Sequence, residues 1–222
     1  MVQPPDRIQR ILLAGRLQFS KYGFSGARID TISADSKTNK RLVYEFCNKK
    51  EGLYLAVLSD VSREVMTVFE NIQPQLSECQ SVHDVYMTVV DALSPFREFI
   101  RLWAWEQLSP TIHGPRIIET MDAIFSRLRS YTNDVLKKLK RAPMNDIAYA
   151  SIETICRGYL LARALNEPGD DTDDCENISA NSTNSGDQRE LVDSLYNMMQ
   201  RGIDRIVDNA NSQTLNLSQE NV

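Results

Sequence analysis

The stretch that decides the fold is "SADSKTNKRLVYEFCNKKEGLY", residues 33–54, which gathers five basic side chains around Tyr44. Such a cluster can be a coincidence, a solvated helix face, or a docking surface for a polyanion. Residues 1–55, here called the head, carry ten basic and five acidic side chains, a net charge of +5. The whole chain of 222 residues has a net charge of −5, so the remaining body carries −10. A basic head on an acidic body indicates that the head meets a polyanion.

The head is predicted to be helical throughout, because its apolar residues recur at helical spacing and no strand pattern is present. Asp6 is expected to cap the first helix and Gly23 to end it. Pro74 is expected to lie beyond the end of the fourth helix. The predicted helices of the head cover residues 7–22, 28–35 and 39–46, followed by a long helix that begins near residue 50.

Two short helices joined by a tight connection, the second rich in basic and amide side chains, describe a helix-turn-helix. The second helix of such a motif can enter the major groove of DNA. Asn39, Lys40 and Arg41 have donors that read base edges, and each good pair contributes ~1–3 kcal/mol of discrimination. Tyr44 and Lys50 flank them and suit phosphate contacts, which fix the register of a protein on the duplex.

Residues 7–58 resemble the N-terminal DNA-binding domain of the TetR family of bacterial transcription regulators. Four phrases carry the resemblance, in order and without a gap: "FSKYGF" at 19–24, "ARIDTIS" at 27–33, "NKRLVYEF" at 39–46 and "NKKEGLYLAVL" at 48–58. They resemble the end of the first helix, the second helix, the recognition helix and the start of the long connecting helix. The resemblance implies an all-α chain whose N-terminal three-helix DNA-binding domain is joined to a larger helical effector-binding and dimerisation domain.

The resemblance also implies a role for each matched side chain in the head. The implied base contacts come from Asn39, Lys40 and Arg41, the implied phosphate contacts from Arg28, Tyr44 and Lys50, and the turn adds Lys37 and Thr38 to the DNA-binding set.

Three positions depart from the family pattern. Ser36, Lys37 and Thr38 stand where the turn usually has Ala-Gly-Val, and the missing glycine matters if that residue needs a positive φ. Lysine reaches the left-handed region at modest cost. Cys47 replaces a large apolar residue, and Leu42 stands where a small polar residue is common. These departures motivate an alternative hypothesis, a helical interaction protein with a degenerate DNA-binding head.

Beyond about residue 60 the resemblance is one of architecture. TetR-family bodies are helical, bind a small effector in an internal cavity, and dimerise through two late helices, which the segments near 144–165 and 188–209 resemble. A homodimer would set two recognition helices one DNA turn (~34 Å) or a multiple of it apart, on a pseudo-palindromic operator. Further helices are predicted at 81–93, 95–108 and 115–140.

The predicted domains are a DNA-binding domain over 1–50 and a ligand-binding and dimerisation domain over 51–211. Residues 166–187 hold seven acidic residues and no basic ones, so they are predicted to be a disordered loop. The polar residues 212–222 are predicted to be a frayed tail.

Aromatic and sulfur-containing side chains of the body are candidates for an effector site. Side chains of these types at helical spacing more often belong to a core, and a histidine beside glycine and proline is more often a turn residue. The candidates are Tyr86, Phe99, Trp103, His113, Met121, Phe125 and Tyr159.

Other classes of protein are disfavoured. The two histidines belong to no metal-spaced cluster, and no phosphate loop or nucleophile elbow is present, so neither an enzyme nor a cofactor or metal site is expected. The four cysteines form no C-x-x-C pair, which favours free thiols in a reducing compartment. No apolar run approaches the ~20 residues that cross a bilayer, and Arg10 and Arg16 interrupt any N-terminal signal, so a cytoplasmic protein is expected.

The sequence therefore predicts a DNA-binding transcriptional regulator, a repressor that binds its operator as a homodimer and is released by an unknown small molecule. The interaction protein remains the alternative, and salt separates the two, because operator binding weakens steeply as salt is added.

Overall fold

The computed structural model describes residues 6–166, 194, 197–198 and 201–209. Within those ranges every regular element is a helix, which confirms the predicted all-α class. The residues 167–187 of the predicted acidic loop and the predicted tail at 212–222 lie outside this described part. The helices are α1 (Arg7–Gly26), α2 (Ile29–Asp35), α3 (Lys40–Cys47), α4 (Lys50–Asn71), α5 (Gln73–Glu78), α6 (Val82–Leu93), α7 (Arg97–Leu108), α8 (Pro115–Lys138) and α9 (Asp146–Asn166), and residues 201–209 are helical as well.

The predicted helix boundaries agree with the structure to within two residues at most ends. Asp6 caps α1 through a capping box with Gln9, as expected from its position. The sequence does not predict the short helix α5, because Pro74 is expected to lie beyond the end of the fourth helix. Pro74 lies in the first turn of α5, where its missing N–H costs nothing.

The chain divides into two compact units. The first unit contains Met1–Asn71 and Phe96–Ile124, and the second contains Ile72–Pro95 and Phe125–Val222. Compactness does not identify the residues that bind DNA or an effector. The functional boundary near residue 50 therefore stays a prediction.

In the first unit α1 packs against α2, α4 and α7, and α3 packs against α2 and α4. Phe19, Ile32, Val43 and Leu53 are buried, while Ile29 is partly exposed. The Phe19 ring meets the edge of the buried Tyr54 ring at a centroid distance of 4.8 Å. This core fixes the orientation of α2 and α3, the two short helices of the helix-turn-helix.

Gly23 bends the end of α1. Its φ of 66° lies in the left-handed region, and a Cβ at this residue would lie 3.0 Å from the Trp105 ring. The indole Nε1 of Trp105 donates to the Ser20 carbonyl at 3.1 Å. The predicted helix stop at Gly23 is therefore a kink, and glycine is needed there for both conformation and space.

Glu106 is a buried acceptor on α7, with 1% of its surface exposed. It accepts a short hydrogen bond from the Tyr54 hydroxyl of α4. The Thr111 backbone N–H and hydroxyl donate to its two oxygens at 2.7 and 3.0 Å. Burial, and then the bond to Glu106, raise the pKa of Tyr54. Gly114 leaves room for this carboxylate, because a Cβ there would lie 2.0 Å from Oε2. Glu106 therefore joins α4 to the loop after α7.

In the second unit α6 packs against α5 and α9, with fully buried side chains such as Val89 and Leu160. Arg129 of α8 bonds to Glu153 of α9 at 3.0 Å and to Asp146 at 3.4 Å. Its guanidinium also lies 5.2 Å from the centre of the Tyr149 ring. These contacts fasten α8 to α9 within the unit. Among the described helices, none combines the length and apolar character that a bilayer crossing requires.

Candidate nucleic-acid interface

The turn between α2 and α3 closes without a glycine. The Thr38 N–H donates to the Ser33 carbonyl at 3.1 Å, and the Lys37 N–H donates to the Ala34 carbonyl at 3.0 Å. These two bonds form a Schellman motif, which requires a left-handed residue after the helix. Lys37 supplies it with φ of 51°. The residue at this position therefore does have a positive φ, and lysine adopts it in place of glycine.

Three hydroxyl groups support the same turn. The Ser33 hydroxyl donates to the Thr38 carbonyl at 2.8 Å, and the Ser36 hydroxyl donates to the Ser33 carbonyl at 3.2 Å. The hydroxyls of Ser36 and Thr38 lie 2.7 Å apart and share a hydrogen bond. Such local bonds favour a turn over continued helix. The strain of a left-handed lysine is offset by them, and the Thr38 hydroxyl is already engaged within the protein.

Asn39 is the N-cap of α3. Its φ and ψ of −88° and 151° are extended, and its Oδ1 accepts from the Leu42 N–H at 2.8 Å. A bidentate pair with N6 and N7 of adenine would use Oδ1 as well as Nδ2. While the cap is kept, Oδ1 is engaged at the start of α3, and the Nδ2 group is the freer one for a base or a phosphate.

The two cations that follow lie on the exposed side of α3, and each is paired with a carboxylate. Lys40 Nζ lies 2.6 Å from Asp30 of α2, and this hydrogen bond raises the pKa of Lys40. Arg41 Nε donates to Glu45 at 2.8 Å, one helical turn away, while the Arg41 side chain is 86% exposed. Exposed ion pairs of this kind contribute little to stability. The donors that the two carboxylates leave unused can still contact a polyanion.

The predicted phosphate contacts lie around this helix. Tyr44 is exposed on α3, and Arg28 is exposed at the N-cap position of α2, without a side-chain capping bond. Lys50 is partly buried: its Nζ donates to the Ser25 carbonyl at 3.2 Å and lies 5.0 Å from the centre of the Phe24 ring. Burial lowers the pKa of Lys50. Lys50 is thus more tightly held than the other two.

The junction between α3 and α4 is closely packed. Asn48 has φ of 63°, and the Lys49 N–H donates to the Cys47 carbonyl at 2.7 Å. A Cβ at Gly52 would lie 2.0 Å from the same carbonyl oxygen, so this position needs glycine. Cys47 is half-buried, and burial raises the pKa of its thiol to about 11.

Known structures share this fold over nearly the whole chain. SCO4454, a TetR-family transcriptional regulator from Streptomyces coelicolor, superposes with a TM-score of 0.61 and 14% identity, covering 92% of this chain and 96% of that one. A TetR-like transcriptional regulator from Rhodococcus sp. RHA1 gives a TM-score of 0.60 and 15% identity over 92% of this chain and 99% of that one. This chain has the TetR-family fold. The predicted resemblance is therefore confirmed at the level of the fold.

Curated relatives of the TetR-fold chain carry helix-turn-helix names. The HTH-type transcriptional repressor NicS of Pseudomonas putida is 30% identical over 114 residues, 50% of this chain and 54% of that protein. The HTH-type transcriptional repressor SCO4008 of Streptomyces coelicolor is 31% identical over 101 residues, 44% of this chain and 47% of that protein. The chain thus spans about half the length of these two relatives. No family model matches the chain.

The effector candidates of this TetR-fold chain are divided between its two compact units. Six of the seven side chains are buried, so within each unit they contribute to the core. His113 is partly exposed in the loop after α7, although its Nε2 is buried. Their role in binding an effector stays a prediction. The first unit holds Phe99, Trp103, His113 and Met121, and the second holds Tyr86, Phe125 and Tyr159.

Sequence reasoning missed the acidic partners of the two cations on α3. The spacing of Arg41 and Glu45, four residues apart on one helix, was a readable signal for their pair. The Asp30–Lys40 pair had no such signal, because it joins two helices whose packing sets the distance. Among the described residues, no group of three or more His, Cys, Asp or Glu side chains could hold a metal ion.

Proposed function

We propose that the chain is a DNA-binding transcriptional repressor that occupies a pseudo-palindromic operator as a homodimer and leaves it when a small molecule binds. The observation that carries the proposal is the helix-turn-helix geometry. A closed turn leads into a capped eight-residue helix that carries Lys40 and Arg41 on its exposed side. A helix of this kind fits the major groove, where such cations read base edges.

The curated relatives support the repressor role. NicS and SCO4008 are named as HTH-type transcriptional repressors, and their identity of 30% and 31% with this chain is carried by about half of each protein. The interaction-protein alternative was motivated by the missing turn glycine and by Cys47. The Lys37 turn closes without glycine and the backbone at Gly52 is closely packed, and both observations favour the DNA-binding proposal over this alternative.

Apolar residues on the late helices support a homodimer. Ile147 and Leu165 of α9 are 77% and 60% exposed, and Met198 is 62% exposed. Large apolar side chains exposed in one chain favour an interface with another. We propose that α9 and the helical residues 201–209 form it, as the sequence predicts for 144–165 and 188–209. Two copies would then present two recognition helices to one operator.

The effector part of the proposal depends on a difference in affinity. A ligand releases the operator only if it binds the free form of the protein more tightly than the DNA-bound form. The buried aromatic side chains, Phe99 and Trp103 in the first unit and Tyr159 in the second, are separate candidates for contact with an apolar or aromatic effector. The proposal places the protein in the cytoplasm and includes no enzymatic activity and no cofactor.

Selection of bound sites from random DNA tests the DNA-binding part. The expected result is an enriched sequence with two-fold symmetry, bound more weakly as salt rises, with a log–log slope of about −0.9 for each neutralised phosphate. A duplex with the same base composition in scrambled order is the matched control. Equal retention of both duplexes, or retention that salt does not change, would contradict sequence-specific binding.

Screening small molecules against the selected complex tests the effector part. The expected result is a compound that lowers operator affinity and whose own affinity falls by the same factor when DNA is bound. A compound that binds the body but leaves operator affinity unchanged is not the effector. If no such coupling is found for any bound compound, the release mechanism is wrong while DNA binding can still hold.

A further inference from the structure

Glu45 holds one edge of the Arg41 guanidinium. The contact runs from Nε to the carboxylate at 2.8 Å, and the rest of the Arg41 side chain is exposed to solvent. A guanidinium has five donors in a fixed plane, one on Nε and four on the two terminal nitrogens. When Nε is used by Glu45, the terminal pair at the far end stays available. That pair matches the O6 and N7 acceptors of guanine in the major groove.

Helix stability does not explain this pair well. Arginine precedes glutamate here, and for pairs four residues apart the opposite order is more favourable. Glu45 also lies in the second half of an eight-residue helix, where the helix dipole disfavours a carboxylate. An exposed pair contributes little to stability in any order. Its main physical consequence is that it restricts the direction in which the Arg41 fork points.

The neighbouring pair differs in kind. Lys40 is held by Asp30 of α2, but an ammonium is a compact charge without a fixed plane. A carboxylate beside it reduces its charge without orienting two further donors. Of the two pairs, therefore, only Arg41–Glu45 leaves a planar donor pair free to recognise a base.

We propose that Glu45 is a positioning residue that orients Arg41 so that its two terminal nitrogens read one guanine of the operator. This inference rests on the proposed DNA-binding function and adds its specificity. Because the Glu45 carboxylate also repels phosphates, it weakens binding to DNA that offers no guanine at that place. Removing the Glu45 carboxylate is therefore expected to weaken binding to DNA with this guanine and to strengthen binding to DNA without it.

The test compares affinities for two duplexes, the site enriched by the wild type and its scrambled control. Glu45→Ala is expected to bind the enriched site about fivefold more weakly and the scrambled duplex about twofold more tightly. Glu45→Gln keeps an acceptor oxygen without the charge, so its loss on the enriched site is smaller. Glu51→Gln is the matched control, since it removes one exposed carboxylate from the start of α4 without touching Arg41. It raises both affinities together.

A modified base identifies the atom that is read. Replacing the recognised guanine by 7-deazaguanine removes the N7 acceptor, so the wild type loses affinity and Arg41→Ala does not. Selection with Glu45→Ala should relax the preference for guanine at that base pair and leave the other positions unchanged. Thermal melting of each variant shows that the head is folded.

Two results would overturn the inference alone. One is a Glu45→Ala protein whose affinities for both duplexes rise together, as for Glu51→Gln, because Glu45 would then act only as a repelling charge. The other is an enriched operator in which no guanine depends on Arg41. A wild-type protein that enriched no sequence at all would overturn the proposed function together with this inference.

Discussion

Glu106 and Glu45 are two glutamates of the first compact unit that do opposite work. Glu106 is buried and accepts hydrogen bonds from Tyr54 and from both donors of Thr111. Glu45 has a side chain that is 56% exposed and pairs with a single arginine on the surface. In a low-dielectric interior a satisfied carboxylate is costly to remove, whereas an exposed carboxylate contributes little to stability. Glu106 therefore belongs to the part that holds the fold, and Glu45 to the exposed surface that is proposed to bind DNA.

The largest expected effect follows from removing the buried acceptor. Glu106→Ala should lower the free energy of unfolding by about 4 kcal/mol, because the buried Tyr54 hydroxyl and two donors of the half-buried Thr111 lose their acceptor and a cavity is left. Glu45→Ala, the matched surface change, should alter it by no more than about 0.5 kcal/mol. Urea unfolding measures both values. Similar losses from the two variants would show that Glu106 is not the structural acceptor described here.

A smaller effect is expected at the kink in α1. Gly23→Ala should lower the free energy of unfolding by about 2 kcal/mol, because a φ of 66° is strained for alanine and its Cβ would lie too close to the Trp105 ring. Gly158→Ala is the control, since a Cβ on that helical residue meets nothing within 4 Å. It should instead stabilise the protein by about 0.5–1 kcal/mol. A neutral Gly23→Ala would mean that Trp105 does not pack on this turn.

A smaller change, which is a gain in stability, is expected at the turn between α2 and α3. Lys37→Gly should raise the free energy of unfolding by about 0.5–1 kcal/mol, because glycine adopts the left-handed φ without strain. The same change removes a cation beside the recognition helix, so the salt slope of DNA binding should fall by about one if Lys37 touches a phosphate. Lys37→Ala keeps the strain and loses the charge. Equal stability of the glycine and alanine variants would contradict the strained turn.

Local patterns predicted most of the fold, and long-range contacts explain what they missed. The helices, the burial of Phe19 and Val43, and the positive φ at Lys37 follow from periodicity and turn chemistry that a few neighbouring residues determine. Trp105 could not be assigned, because its place against Ser20 depends on how α7 meets α1. The Glu106 site has the same origin, since Tyr54 lies 52 positions earlier in the chain.

The candidate interface shows the same limit at shorter range. Residue type and order identified Asn39, Lys40 and Arg41 as base-reading candidates, but not the partners that each already has in the free protein. The N-cap bond of Asn39 and the Asp30 pair of Lys40 depend on backbone geometry and helix packing. The Asn39 cap and the Arg41–Glu45 spacing were local enough to be read in advance, whereas the Asp30–Lys40 pair was not.

The central claim is that side chains on the exposed side of α3 read base pairs, while Arg28, Tyr44 and Lys50 contact the phosphate backbone of the DNA. The most direct measurement is the affinity of the wild type, Arg41→Ala and Lys50→Ala for a set of single-base variants of the enriched operator. Arg41→Ala should lose discrimination at one base pair in each half-site, with about 5- to 100-fold weaker binding to the intact site. Lys50→Ala should weaken binding to every variant alike. Uniform losses with Arg41→Ala would contradict the claim, because that side chain would then contact only the phosphate backbone.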